Sequence, residues 1–249
     1  MRDLKNKDKE YTEGISIPKG KFLKWLDNYW YHYKWVTIGV AFFLTVFIVC
    51  TVQMCSKAQD DLIVVYAGRN ALSQEEQHNV CKVLEAVAPR DFDGNGDTVI
   101  SLNAYSILSA EQIEEQRAQT DEEGRPLYID NSYNSSQFSI YNDYIMTGSS
   151  SVLLLDPWLY ETLAAGGRLK SLEDALGYVP ESAYSEYAIR LGDTELYKTY
   201  SVMRSLPEDT VICLLQPYIR GSSSKEEYYT RELEMFEALV TYGDAKVEN

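Results

Sequence analysis

The stretch WVTIGVAFFLTVFIVCTVQMCS, residues 35–56, runs for 22 residues without a charged side chain. As an α-helix it would extend about 33 Å, which is enough to cross the ~30 Å hydrocarbon core of a bilayer. Lys34 and Lys57 flank it on either side. The sequence therefore predicts a short tail over 1–34, one transmembrane helix over 35–56 and a single globular domain over 57–249.

The distribution of charge predicts the orientation of this helix. The tail contains eight Lys or Arg and five Asp or Glu, a net charge of +3, whereas the whole chain carries −15. Because basic residues are retained on the cytoplasmic side, we expect a single-pass protein of the cell membrane with a cytoplasmic N-terminus and an extracellular C-terminal domain. A cleaved signal peptide is the alternative, but its charged leader and its apolar run are normally shorter.

Aromatic side chains crowd the approach to the predicted span, and such rings favour the headgroup level of a bilayer. We expect contact with membrane lipid through residues 21–56. The helical spacing of Phe22, Trp25 and Tyr29 is compatible with a short interfacial helix after Pro18. A simple aromatic anchor belt is the favoured interpretation, and a partner-binding helix is the alternative. The aromatic residues are Phe22, Trp25, Tyr29, Trp30, Tyr31, Tyr33 and Trp35.

The composition of the domain excludes several classes of function. Its strong negative charge argues against nucleic acid as a partner. It contains one histidine, His78, and no glycine-rich phosphate-binding motif, which leaves an extracellular hydrolase as the least favoured activity. Its two cysteines, Cys81 and Cys213, allow a single disulfide, but two separate buried thiols are the favoured interpretation.

The hydrophobic pattern of the domain alternates between strands and helices. Continuous apolar runs at 61–66, 151–156 and 210–216 indicate buried strands, because strands covered on both faces lose the polar alternation. Ser73 with Glu76, and Pro157, mark the starts of helices. The pattern predicts an α/β domain with a mainly parallel, doubly wound sheet. Other predicted elements are a strand at 98–103, a short helix at 136–146, a strand–turn–strand unit at 187–200 and a closing helix at 226–242.

The segment GSSSVLLLDPWLYETLAAGGRLKSLEDAL, residues 148–176, resembles bacterial extracellular solute-binding proteins of the type 2 periplasmic-binding fold. In that family a polar loop leads into a strand, and the next helix ends in a Gly-x-Leu turn, here Gly167-Arg168-Leu169. The usual Ala-Pro-Asp is replaced by Ser149-Ser150-Ser151-Val152, and the domain is about half the length of a two-lobed binding protein. The resemblance implies one lobe with a reduced second part. The YWYHYKW segment also resembles the anchors of single-pass proteins of Gram-positive gut bacteria.

An aromatic and amide-rich region precedes the strand at 151–156, and such side chains are typical of sugar sites. The end of that strand should lie at a crevice of the sheet. The alternative is that the rings pack a helix and a loop against the sheet. The predicted ligand-binding residues are Tyr141, Tyr144, Ser149, Ser150, Asp156 and Trp158.

The segment DFDGNGD, residues 91–97, has the oxygen spacing of a calcium loop. Asp91, Asp93, Asn95 and Asp97 place side-chain oxygens at alternate positions, and Gly96 stands at the sixth position. The twelfth position carries Leu rather than the usual Glu. A tight Asp/Asn/Gly turn that joins a helix to a strand is the favoured alternative.

These observations together predict a membrane-anchored, extracellular and non-catalytic binding module. Its ligand is expected to be a small solute such as a sugar or a peptide, and calcium is the one cofactor considered. The alternative is a structural or docking domain in a cell-surface protein assembly, for which we expect a filled crevice and an exposed apolar patch.

Overall fold

The computed structural model describes residues 20–55, 60–120, 124–217 and 223–243. The chain divides into an N-terminal helical unit and a compact C-terminal unit. The predicted tail over 1–34 lies largely outside the described residues, which begin at Gly20.

The N-terminal unit is one helix, α1, which runs without interruption over Lys21–Cys55. Its segment Asn28–Val52 is long and apolar enough to cross a membrane, and this confirms the predicted apolar helix. Length and composition alone fit both a single-pass anchor and a signal sequence. The aromatic approach does not form a separate helix, because it is continuous with the apolar part. The rings of Trp25, Tyr29 and Tyr33 stack along it, with centroids 5.7 and 5.3 Å apart.

The C-terminal unit is an α/β domain, as predicted, and contains a six-stranded sheet of order β2-β1-β3-β6-β5-β4. Strand β1, second from one edge, is parallel to β2 and to β3, whereas the pairs β3–β6, β6–β5 and β5–β4 are antiparallel. The sheet is therefore mixed, and the expectation of a mainly parallel sheet does not hold for its second half. The strands are β1 (Leu62–Gly68), β2 (Ile100–Ser106), β3 (Val152–Leu155), β4 (Ala183–Ser185), β5 (Ala188–Arg190) and β6 (Val211–Leu214).

Helices cover both faces of this sheet. Local capping positions their starts, as at Ser73, whose hydroxyl accepts from the Glu76 amide while the Glu76 carboxylate accepts from the Ser73 amide. The second strand predicted within 187–200 is instead a 3-10 turn followed by α7, because Thr194 caps that helix. The helices are α2 (Gln74–Val87), α3 (Ala110–Arg117), α4 (Asn131–Thr147), α5 (Pro157–Ala165), α6 (Leu172–Leu176), α7 (Glu195–Thr199) and α8 (Ser223–Val240).

The residues of β1 alternate between two hydrophobic cores. Leu62, Val64 and Tyr66 face the core that includes α2 and α8, whereas Val65 and Ala67 face the core that includes α4 and α5. This double burial explains the continuous apolar run in the sequence, because neither face of the strand needs polar side chains. Cys81 and Cys213 are free thiols rather than a disulfide, as the favoured interpretation predicted. Cys213 is buried in the second core, whereas Cys81 is half-buried against the first.

Candidate functional site

The three parallel strands end at one edge of the sheet, which we call the carboxyl edge. The chain leaves β1 toward β2 on one side, and it later reaches β3 on the other side of β1. Such a reversal of strand order opens a crevice outside the strand ends, where ligands of α/β proteins commonly bind. The candidate site is therefore built from the residues that follow β1, β2 and β3.

A groove with a volume of about 670 Å³ lies at this edge. It is lined by residues 107–111, which follow β2, by part of α4 and by part of α5. Its size lies within the ~300–1,000 Å³ range of small-molecule sites. We call it the carboxyl-edge groove.

Two aromatic rings form one wall of the groove. Phe138 of α4 and Trp158 of α5 stack with their ring centroids 5.9 Å apart and an interplanar angle of 27°. The Trp158 indole nitrogen is buried and has no hydrogen-bond partner among the described residues. The two rings contribute apolar surface to the lining of the groove, which suits a sugar ring or an apolar side chain.

Some polar residues of the groove form hydrogen bonds that hold the fold, and others form no ion pair with any described residue. The Asn134 side-chain oxygen Oδ1 accepts from the Leu108 backbone N–H at 2.8 Å, and its Nδ2 donates to the Leu108 carbonyl at 3.1 Å. Asn134 therefore fixes the loop after β2. Ser109 caps α3. Glu111 and Glu161 are exposed and form no ion pair within the described part of the chain. The rim of the groove is therefore acidic and offers carboxylate oxygens as acceptors.

Beside the groove, Asp156 joins several elements. Its buried carboxylate accepts from Arg69 Nη1 at 3.3 Å, from Gln112 Nε2 at 3.1 Å and from the Trp158 amide, which it caps. Arg69 also forms an ion pair with Asp209. Burial raises the pKa of Asp156, and the Gln112 hydrogen bond and the Arg69 charge oppose this shift. These contacts give Asp156 a structural role in holding the strand ends.

The six predicted ligand residues do not form one group. Trp158 lines the groove and Asp156 lies next to it, whereas Ser149 and Ser150 precede β3 and lie at the opposite, amino end of that strand. The Ser150 hydroxyl is buried and donates to the Ile63 carbonyl. Tyr141 is 2% exposed, and Tyr144 is partly buried against Tyr105 at a centroid distance of 6.3 Å. Both rings thus belong to the packing of α4 on the sheet.

For several residues of this edge, no short sequence pattern predicts that they belong to the site. The groove-lining loop after β2 and the partners of Asp156, namely Arg69 and Gln112, come together only through the strand order. A polar helix start directly after a strand, as at Ser109, is the one feature that could have indicated the loop.

At the amino end of β3, Glu232 is a buried carboxylate on α8. It accepts a hydrogen bond from the Ser151 amide, where the strand begins. Burial raises the pKa of Glu232 to about 7, and its hydrogen bonds with Ser151 and Ser150 partly oppose this shift. This side chain anchors α8 to the first residues of β3.

Two of the four predicted calcium ligands lie in an acidic cluster. One carboxylate oxygen each from Asp61, Asp91 and Asp93 lies within 4.8 Å of the others, and Asn95 and Asp97 are not part of this group. Asp91 accepts from the amides of Gly96 and Gly94 at 2.7 and 2.8 Å, and these hydrogen bonds lower its pKa. Asp61 lies 30 positions before Asp91, and no local sequence pattern connects it with the loop.

Comparison of the chain with protein-family models, with curated proteins and with solved structures found no match. The function is therefore inferred from the residues and their geometry.

Proposed function

We propose that this protein is a membrane-anchored, extracellular and non-catalytic binding module, and that its carboxyl-edge groove binds a small solute such as a sugar or a peptide. The observation that carries this proposal is the stacked pair of Phe138 and Trp158 on the wall of an open groove of about 670 Å³. Small ligands of α/β proteins commonly bind in a mostly apolar crevice at the carboxyl ends of parallel strands.

The chemistry of the rim supports the proposed ligand class. Glu111 and Glu161 offer carboxylate oxygens to the hydroxyl groups of a sugar or to the ammonium group of a peptide. The rings of Phe138 and Trp158 offer apolar surface to the opposite side of the same ligand. A small anion is disfavoured, because both free carboxylates would repel it.

The open groove favours solute binding over the docking alternative, for which a filled crevice was expected. A non-catalytic role is supported by the state of the titratable groups. Both Asp156 oxygens accept hydrogen bonds, and His78 is exposed on α2, away from the residues that line the groove.

Membrane anchoring is supported by α1 itself. The segment Asn28–Val52 can cross a bilayer, and stacked aromatic rings of α1 occupy its N-terminal turns. We further propose a relation to one lobe of the type 2 periplasmic-binding fold. The parallel β2-β1-β3 half with helices on both faces supports this relation, whereas the antiparallel half departs from a doubly wound parallel sheet.

Titration of the full chain in detergent micelles with sugars and short peptides tests the proposal. Thermal unfolding and calorimetry should identify a ligand that stabilises the wild-type protein. Trp158→Ala should abolish this stabilisation and Glu161→Gln should weaken it, whereas Glu181→Gln, an exposed carboxylate outside the groove, should leave it unchanged. If no compound of either class binds, or if Trp158→Ala binds as the wild type does, the proposal is wrong.

A further inference from the structure

Three carboxylates meet where β1 begins. Asp61 directly precedes β1, and Asp91 and Asp93 lie in the loop between α2 and β2. One oxygen from each lies within 4.8 Å of the others. Calcium binds oxygen ligands at about 2.3–2.6 Å, so two ligands of one ion lie no more than about 5 Å apart. The spacing of the three oxygens thus fits a single shared cation.

One carboxylate oxygen of the buried member of this cluster has no hydrogen-bond partner among the described residues. Asp61 is 2% exposed, and its Oδ2 accepts from the Val99 amide at 2.9 Å. Its Oδ1 is also buried but accepts no hydrogen bond from the described residues. A buried carboxylate oxygen without a donor is costly, because it has lost its hydration without replacement. A cation shared with Asp91 and Asp93 would satisfy it.

The negative charge of the cluster is met by amide donors of its own loop and by no ion pair among the described residues. Among the described residues, no Lys or Arg forms an ion pair with Asp61, Asp91 or Asp93. Arg90, the neighbouring cation in the sequence, instead binds Glu234 at 2.8 and 3.2 Å. Like charges at such short range repel one another unless an opposite charge lies between them.

We propose that Asp61, Asp91 and Asp93 bind one calcium ion. Three carboxylates supply hard oxygen ligands, and the exposure of Asp93 leaves room for the water molecules that complete a coordination shell of 6–8 oxygens. Magnesium fits less well, because it requires near-ideal octahedral geometry and gives up its water reluctantly. The bound ion connects the start of β1 to the loop before β2, where Asp61 and Val99 already share two hydrogen bonds.

This arrangement differs from a calcium loop built from residues 91–97 alone. Asn95 is engaged within the loop, since its amide donates to Asp93 at 2.7 Å and its oxygen accepts from the Asp97 amide at 2.8 Å. The third ligand comes instead from Asp61, which is distant in the sequence. Asp97 therefore provides a matched control, because it lies in the same loop and outside the cluster.

The test uses the full chain in detergent micelles, stripped of metal with a chelator and returned to metal-free buffer. Calorimetric titration should detect calcium with a dissociation constant of roughly 0.1–1 mM, the range of extracellular modules. The melting temperature should rise with calcium concentration, and magnesium at the same concentration should raise it less. Absence of calcium binding would overturn the proposal in favour of a plain turn, and equal shifts with both metals would overturn the assignment to calcium.

Three variants locate the site. Asp93→Asn, at an exposed position, should weaken calcium binding by about tenfold or more, because affinity depends on the number of charged ligands. Asp61→Asn should also weaken calcium binding, and its side-chain oxygen can still accept from the Val99 amide. Asp97→Asn should bind calcium as the wild type does. If Asp61→Asn does not fold, Asp93→Asn decides alone. Wild-type affinity in Asp93→Asn would contradict the assignment.

Discussion

The Arg69 guanidinium donates to the Asp156 carboxylate across 3.3 Å and so ties the residue after β1 to the residue after β3. The Asp156 side chain is 3% exposed, whereas Asp209, the second partner of Arg69, is 41% exposed. The two carboxylates on one guanidinium thus have very different surroundings, and their removal should have different effects.

Asp156→Ala should lower the free energy of unfolding by about 2–4 kcal/mol, because it removes the cap of α5 and leaves Arg69 and Gln112 without their buried acceptor. Asp209→Ala should lower it by less than about 1 kcal/mol, as expected for an exposed pair. Urea denaturation of both variants measures the difference. Equal losses would show that the buried carboxylate contributes no more than the exposed one.

Glu232 should make the stability of the domain depend on pH. Burial raises its pKa from 4.5 to about 7, so the folded state binds a proton more tightly than the unfolded chain does. The stabilisation that comes from this tighter proton binding is complete below pH 4.5 and is lost as the pH rises through about 7. The free energy of unfolding should fall by roughly 3 kcal/mol over this range.

Glu232→Gln should remove this decline, because the amide cannot ionise and still offers an oxygen to the Ser151 amide. The measurement is urea denaturation at pH 5 and at pH 8. Glu237→Gln, an exposed position on the same helix, should retain the wild-type difference between the two pH values. If Glu232→Gln also retains it, another group is responsible.

Gly192 should not tolerate a side chain. A Cβ there would lie 2.8 Å from the Glu208 carbonyl oxygen, which already accepts from the Gly192 amide at 2.9 Å. Gly192→Ala should lower the free energy of unfolding by about 1–3 kcal/mol, because backbone must move. At Gly166 the nearest atom lies at 3.4 Å, and Gly166→Ala should change the stability by less than about 0.5 kcal/mol. Thermal unfolding of the two variants compares them directly.

The fate of α1 distinguishes an anchor from a signal sequence. When the full chain is expressed in a bacterial host, mass spectrometry of the mature protein should recover peptides from the apolar helix. The protein should remain in the membrane fraction after carbonate extraction, and protease added to intact cells should release the domain. A mature polypeptide that begins after Cys55 would contradict the anchor.

Helix starts could be predicted from the sequence because short-range hydrogen bonds determine them. Ser73 and Glu76 form the predicted capping box, and Pro157 opens α5 after Asp156. Strand direction could not be predicted in the same way. The apolar run of β6 indicates burial on both faces, but its antiparallel pairing with β3 depends on the path of the chain through α5, α6 and the β4–β5 hairpin.

The candidate sites show the same limit. Ser150 and Asp156 are near neighbours in the sequence, yet the extended strand between them places them at opposite edges of the sheet, because each residue adds about 3.3 Å. Conversely, Asp61 and Asp91 lie far apart in the sequence and meet through the pairing of β1 with β2. The sequence pattern therefore predicts Trp158 and part of the acidic cluster as site residues, but not the residues that lie beside them in the fold.

The position of β1 within the sheet has a mechanical consequence. It is the first strand after α1, and it lies between β2 and β3 with parallel pairing on both sides. A tensile force applied along β1 at Leu62 would shear both ladders at once rather than unzip a peripheral strand one bond at a time. The domain should therefore resist being unravelled from the start of β1.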